Sequence, residues 1–360
     1  MALSKGDEFP IHQTSEPIAY SGTDRNFYDR YFFNGYAPDG GEFFAIALGV
    51  YPHLDIIDAH FNVVRGGTQH CIHASRELGM ERMDLSVGPI SIEILEPLNR
   101  LVVRVDSFEG ISAKIAFTGK AFPIEEPRFI HRIGPRAFMD YTRLTQNGHY
   151  SGWIEVDGER RDLAAGTMGT RDRSWGVRPI GARDPQPMPG TPAPAFFWQW
   201  TPLNLDRGSL FFHLNADTGG HAWNTRAAWA PDGAAASGIL EGQGTLATQL
   251  EAGTRWPQSG QLTIEIDGAP QDLRLEVLGR FQMRGLGYTH PVWGHGMYHG
   301  SQKIEREDIL LNQIDPLAPE NLHVQMPVRV SGDATGIGVF EQLILGPYSP
   351  FGLTQFLDGA

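Results

Sequence analysis

The sequence predicts an all-β protein built from two packed domains of antiparallel β-barrel or β-sandwich type. Short apolar segments that alternate with polar residues at period two favour half-buried antiparallel strands. The 360 residues include 43 glycines and 25 prolines, spread along the whole chain, as expected when many turns separate short strands. No window of about 12 residues shows the i, i+3, i+4 apolar stripe of an amphipathic helix. These observations disfavour folds in which helices and strands alternate.

The predicted strands are short apolar runs bounded by turn residues. They cover 43–51, 90–95, 101–106, 111–117, 150–156, 196–201, 209–214, 261–267, 273–278 and 337–345. Asp157-Gly158 and Asp267-Gly268 each lie at the end of such a run, and Asp-Gly is typical of two-residue hairpin turns. The pattern is also compatible with short helical turns near 74–83 and 305–312.

A proline-rich segment divides the chain. Residues 184–194 contain five prolines in eleven residues, too many for the interior of a strand because proline lacks the N–H donor that a sheet requires. Each side of this segment carries its own set of predicted strands. We therefore predict an N-terminal domain over 1–184, a linker or surface loop over 185–195, and a C-terminal domain over 196–360.

Composition limits the classes of partner. Lysine and arginine total 29 against 42 aspartates and glutamates, a net charge of −13. Nucleic acids and anionic membrane surfaces attract basic patches, so neither is expected as the main partner. No run reaches the roughly 20 apolar residues of a membrane helix, and the N-terminal residues lack the apolar stretch of a secretion signal. The sequence predicts a cytoplasmic protein and is compatible with a homo-oligomer.

Sequence motifs for cofactors and nucleophiles are missing. No GxGxxG or P-loop pattern offers a nucleotide site, and no G-x-S-x-G elbow offers a nucleophilic serine. The single cysteine, Cys71, excludes a disulfide framework and has no activating neighbours in sequence. His70 and His73 would lie on opposite faces of a strand over 68–74, so they are not a joint ligand set. We expect no cofactor and no metal ion.

The densest polar cluster in the sequence is 169–178, in which Asp172 lies between Arg171 and Arg173. One interpretation is an ion-pair network, with Trp175 as an apolar plug, that ties two β units together. The other makes Asp172 an acid or base at the rim of a pocket, with the neighbouring arginines lowering the pKa of Asp172.

A second unusual segment, 287–300, contains three histidines, two tyrosines and a tryptophan; its candidate residues are Tyr288, Trp293, His295, Tyr298 and His299. If 293–299 is extended, His295 and His299 share a face but lie about 13 Å apart, too far to share a metal ion. We expect a neutral histidine that accepts a proton or donates a hydrogen bond to substrate. Satisfied core histidines are the structural alternative.

Glu341 lies in the predicted strand 337–345, on a face that is otherwise apolar. Desolvation there would raise the pKa of its carboxyl group and make Glu341 a proton donor near neutral pH. The alternative is a structural ion pair with Arg171 or Arg178.

Aromatic residues mark the strand that follows the proline-rich segment. Phe196, Trp198 and Trp200 share one face of it, with Phe197 and Gln199 on the other. Such a wall is either ordinary core or the lining of an apolar cavity whose π faces stabilise a developing carbocation.

Two motifs carry a resemblance to a known group of proteins. The first is a glycine-ended strand followed by Asp172-Arg-Ser-Trp-Gly176, and the second is the late strand Gly336-Ile-Gly-Val-Phe-Glu341. They resemble the superfamily with two lipocalin-like β domains, which includes AttH-type proteins, carotenoid 1,2-hydratases, kievitone-hydratase-like enzymes and decalin-forming Diels–Alderases. Many relatives have histidine where this chain has Arg173, so no role is carried over to that position.

The resemblance implies two packed lipocalin-like domains with a pocket for a hydrophobic small molecule, and chemistry without a cofactor. We expect a hydratase or dehydratase (a lyase), an isomerase or a cyclase that acts on a terpenoid, polyketide, steroid-like or aromatic substrate. In this hypothesis Glu341 or Asp172 donates a proton, and His295 or His299 positions or deprotonates water.

Six aromatic residues are expected to contact the substrate: Trp175, Trp198, Trp200, Tyr288, Trp293 and Tyr298. We expect them to wall a dry hollow within the C-terminal unit. A non-catalytic carrier of lipophilic ligands is the alternative function, and a purely structural or assembly protein is a third.

Overall fold

The computed structural model describes residues 3–12, 24–183 and 195–360, and in these ranges the fold is all-β. The first thirteen strands are β1 Phe27–Tyr36, β2 Phe43–Tyr51, β3 Ile56–Arg65, β4 Thr68–Glu77, β5 Ser86–Val87, β6 Ile90–Glu96, β7 Arg100–Phe108, β8 Ile111–Gly119, β9 Ile124–Glu125, β10 Phe129–Ile133, β11 Arg136–Val156, β12 Glu159–Asp162 and β13 Met168–Val177.

The remaining strands are β14 Phe196–Leu205, β15 Gly208–Ala216, β16 Ala222–Pro231, β17 Leu240–Leu250, β18 Pro257–Ile266, β19 Ala269–Val277, β20 Phe281–Gln282, β21 Gln302–Leu310, β22 Val324–Gly332 and β23 Gly336–Leu345. Helical structure in the described ranges is limited to 3₁₀ turns at Lys5–Glu8, Pro52–Leu54, Ala236–Gly238, Met283–Leu286, Pro319–Asn321 and Ser349–Phe351. The predicted fold class, two packed lipocalin-like β domains, is confirmed.

The N-terminal unit is a curled sheet in which the strands follow the order β21-β4-β3-β2-β1-β13-β11-β8-β7-β6-β5. The inner face of this sheet carries a continuous apolar core that includes Phe33, Phe44, Ile46, Phe61, Ile115 and Tyr150. Burial on both faces explains the unbroken apolar run of β2, where all nine residues are buried, since alternation disappears when neither face contacts water.

The C-terminal unit is a closed eight-stranded barrel of β14–β19, β22 and β23. Closure follows because β19 pairs with β22 and β14 pairs with β23. Its interior is filled by apolar side chains that include Leu203, Leu210, Phe212, Leu262, Ile264 and Phe340. This core, like that of the sheet, forms from alternate residues of each strand.

The two units meet on the outer faces of their strands. A third apolar cluster joins Phe32, Tyr36 and Phe43 of the sheet to Trp198, Trp200 and Phe211 of the barrel. Phe197 lies in a separate cluster beside Tyr348, so the strand parity predicted for 196–200 is confirmed. Outward-facing residues of both units therefore form the interior between the units.

The helical turns suggested near 74–83 and 305–312 are not formed: strand residues begin both segments, and non-helical turns lie at 79–80, 82–83 and 311–312. Residues 74–77 end β4 and 305–310 belong to β21, and the two strands pair with each other. Thus a strand from the C-terminal half of the chain completes the N-terminal sheet. The division of the chain at 184 and 196 stays a prediction, and the linker predicted over 185–195 lies outside the described residues except for Ala195.

Both predicted Asp-Gly hairpin turns are present. Asp157 and Gly158 have φ values of 51° and 84°, and Asp267 and Gly268 have 51° and 76°. Two consecutive residues with positive φ define the turn whose twist matches that of the flanking strands. In the described ranges no helix is both long enough and apolar enough to cross a membrane.

Glycines in β11 and in the hairpin that follows provide a matched test of the packing. At Gly152 (φ 129°) an added Cβ would lie 1.9 Å from the carbonyl oxygen of Lys114, whereas at Gly158 it would meet no atom within 4 Å. We expect Gly158→Ala to lower the free energy of unfolding by about 1–2 kcal/mol through its left-handed backbone alone. Gly152→Ala should cost clearly more in urea titrations, and equal losses would contradict this packing.

Candidate active site between the two β units

Asp172 lies in the middle of β13 and faces the barrel, whereas Arg171 and Arg173 face the other way. Arg171 forms two hydrogen bonds of 2.7 and 2.8 Å with Glu8, and Arg173 donates to Asp29 at 2.5 Å. All four of these side chains are fully buried. The flanking arginines therefore form structural ion pairs within the N-terminal unit and do not contact Asp172.

The carboxyl group of Asp172 is largely buried. The residue is 7% exposed, and within the described ranges its side chain accepts no hydrogen bond. Burial raises the pKa of Asp172 to about 6, against the opposing charges of Arg143 and Arg30. The prediction of a lowered pKa is wrong, because alternation along the strand directs both flanking arginines away and leaves desolvation as the main effect.

Glu341, on β23 of the barrel, is a buried carboxylate with three donors. Trp198 Nε1 donates to its Oε1 at 2.8 Å, and His323 Nε2 donates to the same oxygen at 2.7 Å. Gln325 Nε2 donates to Oε2 at 2.6 Å. Burial acts to raise the pKa of Glu341, but the His323 and Gln325 contacts lower it below its usual value.

Neither alternative predicted for Glu341 holds in full. The pKa of Glu341 is not raised, because hydrogen bonds to the charged form outweigh desolvation. Its partners are also neither Arg171 nor Arg178 but neutral donors and a histidine. Glu341 is thus an ionised acceptor that faces the N-terminal sheet.

Arg143 on β11 lies against an aromatic wall. Its guanidinium carbon is 4.7 Å from the ring centre of Trp198 and 5.3 Å from that of Trp200. Arg143 Nε donates to Glu126 Oε1 at 2.9 Å. The same oxygen accepts from Thr145 and from Trp200 Nε1. One oxygen of Glu126 is therefore fully used.

The other oxygen of Glu126 faces His213 at 4.0 Å. Glu126 Oε2 and His213 Nδ1 are both buried and have no hydrogen-bond partner. His213 Nε2 contacts Asn224 Oδ1 at 3.1 Å, and burial lowers the pKa of His213 to about 4. The neutral imidazole carries its proton on Nε2, so two acceptors face each other. Their separation suits one shared donor such as a water molecule or a hydroxyl group.

A cleft of about 530 Å³ lies beside Glu126, but His213 does not line it, and the side chains of both residues are fully buried. Its lining includes Glu126, Pro127, Thr225, Arg226 and Gly242. The volume falls in the range of small-molecule sites. The cleft lies between the loop before β10 and the outer face of strands β16 and β17.

His295 is held in one tautomer beside Tyr288. Arg178 Nη2 donates to His295 Nδ1 at 3.1 Å, and His295 Nε2 donates to the carbonyl oxygen of Leu286 at 2.9 Å. Burial, followed by the charges of Arg30 and Arg178, lowers the pKa of His295 well below its usual value. Both ring nitrogens of His295 are hydrogen-bonded, which agrees with the interpretation of this segment as one of satisfied core histidines.

The segment 287–300 is irregular rather than extended, so the strand assumed over 293–299 is wrong. Gly287, Gly296 and Gly300 have positive φ values of 87°, 70° and 87°, which break a strand. The rings of Trp293 and His299 are tilted against each other with 4.2 Å between their centres, and Trp293 stacks on His73. They belong to a different cluster from Asp172.

Two other predicted substrate-binding residues lie elsewhere. Trp175 stacks on His12 with 3.8 Å between ring centres, on the face of β13 opposite Asp172. Tyr298 is 66% exposed. Of the ten candidate site residues, the structure gathers Asp172, Glu341, Trp198, Trp200, Tyr288 and His295 around the interior between the units.

The hollow predicted within the C-terminal unit is not where these residues lie. The barrel interior holds the packed apolar core described above, and Trp198, Trp200 and Glu341 project from its outer face. These three side chains point outward because side chains alternate along a strand, and the residues that alternate with them in sequence fill the barrel.

Several contributing residues were not predicted: Arg30, Glu126, Arg143, His213 and His323. Glu126 precedes Pro127 at the end of a polar loop, and His213 ends the run Phe211-Phe212-His213 in a predicted strand. A polar side chain amid buried aromatic residues is the only signal that the sequence offered. Their convergence depends on pairing between distant strands.

The fold places the chain with the proteins that have two lipocalin-like β units. An AttH protein from Nitrosomonas europaea has the same fold with a TM-score of 0.55 and 15% identity, covering 93% of this chain and 98% of that chain. CghA has a TM-score of 0.54 and 11% identity, covering 94% and 97%. Kievitone hydratase from Nectria haematococca has a TM-score of 0.46 and 12% identity, covering 93% of each chain. The AttH and CghA structures confirm the fold that the sequence motifs imply.

Residues 3–354 match the Family of unknown function (DUF8625), and the chain belongs to that family. No curated protein has a significant sequence match to this chain.

The three donors on Glu341 predict a stability effect. Glu341→Leu leaves Trp198 Nε1, His323 Nε2 and Gln325 Nε2 buried without their acceptor, which should lower the free energy of unfolding by about 2–4 kcal/mol. Because the pKa of Glu341 is lowered in the fold, its stabilisation is present above the ordinary value of 4.5 and fades as the pH falls through the folded pKa. Glu265→Leu, at an exposed barrel position, is the control for urea unfolding at pH 7. A similar loss in both variants would count against this network.

Proposed function

We propose that the protein is a cofactor-independent acid–base enzyme, a hydratase or dehydratase, that acts on a hydrophobic small molecule between its two β units. Asp172 carries the proposal because it is a buried carboxyl group with a pKa of about 6 and accepts no hydrogen bond from the described residues. Such a group exchanges a proton near neutral pH. The same residues could serve an isomerisation or a ring closure.

In this proposal the protonated Asp172 gives its proton to an alkene carbon or, in the opposite direction, to a leaving hydroxyl group. The rings of Trp198 and Trp200 line the barrel side of this interior, with the guanidinium of Arg143 against them. The ionised Glu341 adds fixed negative charge on the barrel side of the same interior. Glu341 is thereby assigned an electrostatic role rather than that of proton donor.

Glu126 and His213 are proposed to hold the water that takes part. A water molecule between Glu126 Oε2 and His213 Nδ1 would donate to both acceptors, and one of them would take its proton as oxygen bonds to carbon. Thr145, which donates to Glu126, is the cross-strand neighbour of Asp172. Thr145 on β11 therefore connects Glu126, in the loop after β9, to the strand beside Asp172. His295, whose two nitrogens are occupied, positions Tyr288 and Arg178.

The proposed substrate class rests on the side chains between the two units. Aromatic rings of Trp198, Trp200 and Tyr288 favour an apolar skeleton, while Arg143 suits a carbonyl or hydroxyl oxygen near the reacting carbons. The related structure of CghA has also been determined with the small molecule Sch210972, which supports a small-molecule ligand for the shared fold.

An activity screen tests the proposal. The full chain is incubated with a metabolite library from a cell extract, and mass spectrometry follows gain or loss of one water, or altered retention at constant mass. Asp172→Asn should slow the reaction by about 10²–10⁴-fold, the usual contribution of a positioned acid or base. Asp106→Asn, at an exposed position, is the matched control and should leave the rate unchanged.

Two outcomes would contradict the enzyme assignment. Turnover that is unchanged in Asp172→Asn would remove Asp172 from the mechanism. Retention of a library compound that is recovered chemically unchanged would identify a carrier of lipophilic ligands instead.

The raised pKa of Asp172 also predicts a pH-dependent stability. A folded pKa of about 6 against 3.8 in the unfolded chain means that ionised Asp172 destabilises the fold, so its contribution is most favourable at low pH and is lost as the pH rises through 6. The difference in free energy of unfolding between Asp172→Asn and wild type should therefore be larger at pH 8 than at pH 4.5, by about 2 kcal/mol. Denaturant titrations at both pH values measure it, and a difference independent of pH would show that burial does not perturb this group.

A further inference from the structure

A second group of buried polar side chains lies where β4 and β21 pair, beneath the segment 281–299. Cys71 and His73 are two residues apart on β4, so both side chains leave the same face of the sheet. Glu307 on β21 is the cross-strand partner of Cys71. The sulphur of Cys71, a nitrogen of His73 and a carboxylate oxygen of Glu307 all lie within 4.8 Å of one another.

We propose that Cys71, His73 and Glu307 form a binding site for one divalent transition-metal ion of the zinc class. Thiolate, imidazole and carboxylate are the three side-chain ligand types that Zn²⁺ takes, and three protein ligands leave a fourth position for water. The sulphur donor excludes Mg²⁺ and Ca²⁺, which prefer oxygen ligands. Cys71 and His73 are fully buried, whereas the Glu307 side chain is 29% exposed, so an ion would enter from the side of Glu307.

The carboxylate is already oriented by two other residues. Arg284 Nη2 donates to Glu307 Oε1 at 2.8 Å, and His290 Nε2 donates to Glu307 Oε2 at 3.2 Å. His290 Nδ1 accepts from the backbone N–H groups of Val292 and Trp293, so its proton is fixed on Nε2. His290 therefore supports the carboxylate and is not itself a ligand. Metal ligands in proteins are typically held by partners of this kind.

The positions of the protons on His73 and His60 also favour a metal ion at this site. Glu307, paired with Arg284, can only accept, so His73 Nε2, 3.3 Å from Glu307 Oε2, must carry a proton without metal. His73 Nδ1 then accepts from His60 Nδ1 at 2.9 Å. That leaves His60 Nε2 as a bare acceptor, and it is indeed buried without a partner, 3.9 Å from the carboxylate oxygen Asp58 Oδ1.

Metal binding would remove the unpaired acceptor at His60 Nε2. When His73 Nε2 binds the ion, its proton moves to Nδ1, which donates to His60 Nδ1. His60 then carries its proton on Nε2 and directs it toward Asp58. The Cys71 thiol loses its proton to solvent as the sulphur–metal bond forms, so the step releases one proton for each ion bound.

Cobalt titration tests the site directly. The full chain is stripped with a chelator and titrated with Co²⁺, whose bond to sulphur gives a near-ultraviolet charge-transfer absorption. Because Cys71 is the only cysteine in the sequence, this band reports on that residue alone. We expect the band to saturate at about one ion per chain with release of about one proton.

Variants separate the site from chance binding. Cys71→Ser should abolish the band, and Glu307→Gln should weaken Zn²⁺ binding by about 10–100-fold in competition with a chelating dye. His70→Asn is the matched control, since His70 is the neighbour of Cys71 on the opposite face and contacts Asp308. It should bind both ions as wild type does.

The proposal is overturned if wild type shows no charge-transfer band, if Glu307→Gln binds Zn²⁺ as tightly as wild type, or if His70→Asn weakens binding equally. Circular dichroism checks the fold of each variant, and Glu307→Gln carries the test if Cys71→Ser does not fold.

Discussion

Burial of both faces of the strands where the two β units meet is the constraint on which the candidate site depends. One face of each sheet packs on its own apolar core, and the other packs on the neighbouring unit. A polar side chain on such a face has lost water and must find its partners within the protein. Asp172 and Glu341 show the two results. Glu341 has three donors and a lowered pKa, whereas Asp172 has no donor among the described residues and a raised pKa. The same desolvation thus yields a fixed negative charge and a proton-exchanging group in one interior.

Local sequence was sufficient for ten of the strands, for both Asp-Gly hairpins and for the shared face of Trp198 and Trp200, because period-two alternation and turn chemistry act over a few residues. Other strands, such as β1, β3, β13 and β22, were not predicted. The suggested helical turns at 74–83 and 305–312 were wrong because pairing of β4 with β21 decides their conformation, and that contact joins residues more than 200 positions apart. The same alternation places Arg171 and Arg173 on the face of the strand opposite to that of Asp172.

The sequence predicted only part of the candidate site. Asp172, Glu341, Trp198 and Trp200 could be named, but they were expected around a hollow inside the barrel, whereas they lie between the two units. Which face of a strand lines the barrel depends on how the units pack, and alternation alone does not distinguish two buried faces. Glu126 and His213 meet only because distant strands bring them together, so neither had a local signal beyond being polar among aromatic neighbours.

β21 gives the molecule an unusual connectivity. The chain leaves the barrel after β20, adds one strand to the edge of the other unit beside β4, and returns to complete the barrel with β22 and β23. The two units are therefore interlaced rather than strung in series. A fragment cut at the proline-rich segment would carry a strand with no sheet to join, and its counterpart would be left with a bare hydrogen-bonding edge, which is a known route to aggregation. Evolution could not readily shuffle either unit as a free-standing module.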